Sequence, residues 1–74
     1  MIDTYTVLAV HPTNGQAFDV QLIASSERAA ISRVRGTLTH RDQDLRWMRG
    51  EFTITDKQPG VWPGDTREHT RGRA

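Results

Sequence analysis

The sequence predicts an α+β fold: a single small ββαβ(β) domain whose antiparallel or mixed sheet carries one helix packed on one face. Three observations lead there. Two strand-like runs, residues 5–11 and 17–23, flank Asn14-Gly15, a dipeptide that favours a tight hairpin turn. Residues 24–36 have the caps and the apolar spacing of a helix. Residues 45–55 form a further extended run, interrupted at Gly50. A chain of 74 residues makes one small domain with limited burial.

The hairpin comes first. With Asn14 and Gly15 at the centre of a type I′ turn, Val7 opposes Leu22, Ala9 opposes Val20 and His11 opposes Phe18. Opposed residues share a sheet face, so Tyr5, Val7, Ala9, Phe18, Val20 and Leu22 form an apolar face for the core. The other face is mixed, with Thr4, Thr6, Asp19 and Gln21 beside Leu8, Val10 and Ile23. The C-terminal tail, a homodimer contact and plain exposure are three alternatives for those last three side chains.

Ser25 or Ser26 supplies a hydroxyl N-cap for the helix, and Glu27 suits its positive end. Ala30, Ile31 and Val34 fall on one side, and Arg28, Ser32 and Arg35 on another. Gly36 is expected to stop the helix in the left-handed conformation. Residues 37–40 then read as a short strand and residues 41–44 as a polar turn with solvated Asp42 and Asp44. A bulge at Arg49-Gly50 would put Leu45, Trp47, Phe52 and Ile54 on one face, with Trp47 under the helix. The chain divides into a core domain, residues 1–56, and a largely flexible Pro/Gly- and Arg-rich tail, residues 57–74, in which Val61-Trp62 offers an isolated anchor.

Charge and residue chemistry narrow the function classes. The net charge is only +1, but residues 25–50 hold six Arg against Glu27, Asp42 and Asp44. There is no cysteine, no apolar run near the roughly 18 residues of a membrane span, and no signal-peptide pattern. The expectation is a cytoplasmic protein with no membrane contact. His11, His40 and His69 are scattered without metal-ligand spacing, and no glycine-rich phosphate loop occurs. Ser25 and Ser26 read as helix caps rather than nucleophiles, lacking the glycines of a nucleophile elbow. No catalytic residue, metal or cofactor is therefore expected, and the chain does not read as an enzyme.

What survives is the set Arg28, Arg33, Arg35, Arg41, Arg46 and Arg49, with Trp47 among them. Arginine with an interleaved aromatic suits phosphates and stacked bases. It equally suits an acidic protein surface, where Trp and Arg carry binding energy. A solvated charged face is the plain alternative. Asp42 and Asp44 within the same stretch would repel a phosphate backbone, which favours a larger protein or nucleoprotein complex with an acidic surface over free nucleic acid.

The strand at residues 18–24, the Ser25-Ser26-Glu27 helix opening and the strand near residues 45–55 together resemble small phage-encoded and mobile-element proteins, including some anti-CRISPR inhibitors. The resemblance covers residues 5–55 and lies in the pattern of elements. It implies a stoichiometric inhibitor of a larger host machine and carries over no specific functional residue.

Overall fold

Alternation of apolar and polar residues drives the centre of the sheet, and a computed structural model describes how it is completed over residues 2–60 and 67–73, the latter by their backbone. The elements are β1 (Asp3–Val10), β2 (Gln16–Ala24), α1 (Glu27–Asp42), a short 3-10 helix (Leu45–Arg49), β3 (Glu51–Pro59) and β4 (Arg67–Arg73). Among the described residues the strands form one sheet in the order β3-β1-β2-β4, antiparallel at each pairing. The expected α+β class, one helix on one face of the sheet, is the one observed.

The hairpin register differs from expectation by two residues: Tyr5 opposes Leu22, Val7 opposes Val20 and Ala9 opposes Phe18. The turn explains it. A type I′ turn needs positive φ at both central residues, and of Asn14 and Gly15 only Gly15 has it, at 74°. The His11 N–H instead bonds the Gln16 carbonyl at 2.8 Å and closes a longer loop over residues 12–15. The His11 ring holds that loop, because its Nδ1 accepts the N–H groups of Thr13 and Asn14, both at 3.2 Å. Asn14 Oδ1 accepts the Gln16 N–H at 2.9 Å. A shift of two residues preserves every side chain's face, so the expected apolar set is still the buried set.

The helix starts as expected, with Ser26 Oγ accepting the Ala29 N–H at 3.1 Å. It does not stop at Gly36. It runs through residues 37–40, the expected strand, to Asp42. Gly36 faces solvent, and its cost relative to Ala is about 0.5–1 kcal/mol. Continuing the helix buries Leu38 beside Ala30 and Val34, worth about 1.5–3 kcal/mol for a fully buried leucine. Burial outweighs the glycine. The end is a Schellman motif: Gln43, at φ 50°, bonds His40 O, and the Asp44 N–H bonds Thr39 O at 3.1 Å.

Residues 45–49 form a helical turn rather than the expected strand. The Asp44 carboxylate caps it through the Arg46 N–H. Trp47 enters the core completely, whereas Leu45 lies outside, so the expected face of four apolar residues does not form. Gly50 is the joint between this turn and β3, not a bulge. A Cβ there would stand 2.8 Å from the Val10 carbonyl oxygen, inside the 3.0 Å that Cβ atoms essentially never breach. The bulges lie elsewhere, at Thr6/Val7 on the β3 side and Ala17/Phe18 on the β4 side.

The sheet also continues past residue 56. β3 extends to Pro59, and residues 67–73, expected as flexible tail, add a strand to β2. Pairing on an edge uses backbone groups, so a polar stretch without apolar periodicity can supply it. Val61-Trp62, the expected anchor, lies outside the described residues.

Candidate functional site

Three segments meet where the hairpin loop touches the end of α1 and the short helix. His11, 3% exposed, packs edge-on against Trp47 with ring centroids 4.8 Å apart. Because backbone N–H groups point at its Nδ1, the ring proton sits on Nε2 and is donated to Asp44 Oδ2 at 2.8 Å. Arg46 grips the same carboxylate with Nε at 2.9 Å and Nη2 at 3.1 Å. Arg46 chiefly, then His11, holds the Asp44 carboxyl well below the usual carboxylate range, and Asp44 in turn raises Arg46. One layer away, Trp47 Nε1 donates to Asp42 Oδ2 at 2.9 Å, and Arg41 Nε bonds Asp42 Oδ1 at 2.8 Å. Arg41 chiefly lowers the Asp42 carboxyl, against partial burial; the Trp47 hydrogen bond adds to the lowering. Asp42 and Asp44 are thus structural acceptors rather than solvated turn carboxylates.

This geometry disperses the six arginines. Arg41 is committed to Asp42 and lies 4.9 Å over the Phe18 ring; Arg46 is committed to Asp44. Arg33 donates to the Ile23 carbonyl at 2.6 Å on the β2 side of α1. Arg35 lies on the β3 side, 5.0 Å over the Phe52 ring. Arg28, seven residues before Arg35, shares its side of the helix and is exposed. Arg49 is exposed next to Gly50. Two forked carboxylates, a carbonyl and an aromatic ring engage four of the six, which point to different sides of the fold.

The structure instead presents an apolar pair on the short helix. Leu45 is 79% exposed and Met48 55% exposed. In a 3-10 helix residues three apart eclipse one another, so the two stack on one side while Arg46 and Arg49 stack on another. Buried Trp47 between them anchors the turn against His11, Phe18 and Phe52. Sequence reasoning missed this pair because a strand reading put Leu45 inward. The Asp44-x-Arg46 cap signal, a carboxylate ahead of a turn, was the available clue.

Comparison with protein families, curated proteins and solved structures gives no match, so this surface is interpreted from its own geometry. Among the described residues no helix is long and apolar enough to cross a membrane.

Proposed function

We propose that this chain is a small non-catalytic binding protein that docks on a larger protein or nucleoprotein complex through the turn bearing Leu45, Met48 and Arg49. The observation that carries this reading is the exposure of two large apolar side chains on a turn pinned by a fully buried tryptophan. An apolar contact flanked by arginines fits a partner pocket with an acidic rim, where a bidentate Arg–carboxylate pair adds specificity. The non-catalytic part is supported by His11, whose two ring nitrogens are both engaged inside the fold. A stoichiometric inhibitor of the kind implied by the phage-protein resemblance is one form of this function. The dispersal of the arginines favours a protein contact over a nucleic-acid one.

The test pairs pull-down from lysate, with and without nuclease, with a gel shift on DNA and RNA at low salt. A nuclease-resistant partner that is lost in Leu45→Asp and Met48→Asp supports the proposal. Salt-sensitive nucleic-acid binding that disappears when Arg28, Arg33 and Arg35 become Ala would overturn it, since phosphate contacts release counterions.

A further inference from the structure

Among the described residues β3 is an edge strand, and its two halves differ. The second half carries features that discourage pairing: the bulge opposite Thr6, the charges of Asp56 and Lys57, and Pro59. The first half, Phe52-Thr53-Ile54, runs up to the bulged residue Thr55 and has neither charge nor proline. Phe52 and Ile54 sit half-buried at the rim of the core, and Thr53 is exposed.

The phase of the ladder shows which backbone groups face outward. His11 bonds Gln16 across the β1–β2 pair. Amide groups alternate in direction along a strand, so odd-numbered β1 residues bond β2, whereas Val10 and Leu8 bond β3. Their partners Glu51 and Thr53 therefore use their N–H and C=O groups on β1. Those of Phe52 and Ile54 point away from the sheet. Pro59 agrees with this phase: it opposes odd-numbered Asp3, so no N–H is required of it toward β1.

We propose that β3 pairs antiparallel with β3 of a second copy of this chain, about a two-fold axis at Thr53, joining two four-stranded sheets into one. In that register Phe52 opposes Ile54 of the second copy, and Ile54 opposes Phe52. Both outward-facing residues then meet outward-facing partners, two pairs exchanging two hydrogen bonds each. The same pairs bring four half-buried apolar side chains together on the helix side of the sheet. Glu51 opposes Thr55, so within residues 51–55 no like charges meet. Neighbouring registers are worse. An axis at Phe52 sets Ile54 against Gly50, and one at Ile54 sets Phe52 against Asp56. The contact uses a different surface from the Leu45 and Met48 turn and does not depend on it.

Sedimentation equilibrium over a concentration series tests the pairing, with Thr53→Lys as the variant. Thr53 points to the open face of the sheet, so lysine there leaves the core alone but sets like charges against each other at the axis. The expected result is a wild-type mass that rises toward twice the monomer, and a Thr53→Lys protein that stays monomeric with unchanged circular dichroism. Amide hydrogen exchange on the wild type reads the same contact without mutation. Protection of the Phe52 and Ile54 N–H groups should increase with concentration, while that of Leu8 and Val10 should not. A wild type monomeric at its solubility limit overturns the proposal. So does a dimer that Thr53→Lys leaves intact, or one without concentration-dependent protection at Phe52 and Ile54.

Discussion

His11 and Asp44, thirty-three positions apart in the chain, are joined by a 2.8 Å hydrogen bond that ties the hairpin loop to the cap of the short helix. The same imidazole receives two backbone N–H groups of its own loop, and the same carboxylate receives Arg46. One side-chain pair therefore determines two connections at once: the turn that sets the β1–β2 register and the turn that projects Leu45 and Met48.

Replacing His11 with Phe retains a ring against Trp47 but removes its polar partners. The loop N–H groups are then left without their acceptor and Asp44 keeps only Arg46, and stability should fall by about 1–3 kcal/mol. The urea midpoint measures it; an unchanged midpoint would mean water replaces the imidazole at no cost.

Acid should weaken the fold through Asp44 and Asp42. Both carboxyls titrate lower in the folded protein than the roughly 3.9 of an unfolded aspartate. A depressed folded-state value contributes stability that is present above the unfolded pKa and lost as pH falls through the folded one. The decline attributable to these two should set in below pH about 4, and Asp44→Asn should lessen it in urea titrations across that range.

Gly36→Ala should stabilise. The position is helical and exposed, and an added Cβ meets nothing within 4 Å. The expected gain is about 0.5–1 kcal/mol, several degrees in melting temperature for a domain of this size. Gly50→Ala should do the reverse, because its Cβ would press on the Val10 carbonyl at 2.8 Å and push β3 off β1. A loss of about 1–3 kcal/mol is expected from such overpacking. Thermal melts of the two single variants, run side by side, test both signs.

Trp47→Ala removes the largest fully buried side chain among the described residues and should cost about 3–5 kcal/mol, much of the stability of a small domain. Loss of the folded circular-dichroism signal at room temperature, or a sharply lowered urea midpoint, is the expected reading.

The sequence by itself determined the alternation of β1 and β2, six apolar residues of their buried face, a serine cap at Ser25 or Ser26 and the presence of one helix across the sheet. Each depends on neighbours within a few positions, where the periods of strand and helix and the chemistry of a cap act directly. The α+β class followed from them. Tertiary structure decided the rest. Whether the helix passed Gly36 depended on the room beneath it for Leu38, and the hairpin register depended on the ring of His11, itself held by Asp44 from another segment. Whether residues 45–49 coiled or extended depended on the pocket formed for Trp47 by His11, Phe18 and Phe52. The fate of the arginines was equally invisible in one dimension, because Arg33 and Arg35, two positions apart, end on opposite sides of α1. Local propensities at these points differ by about a kilocalorie per mole or less, and burying a single large side chain is worth more. The contact made across the fold therefore chose the conformation.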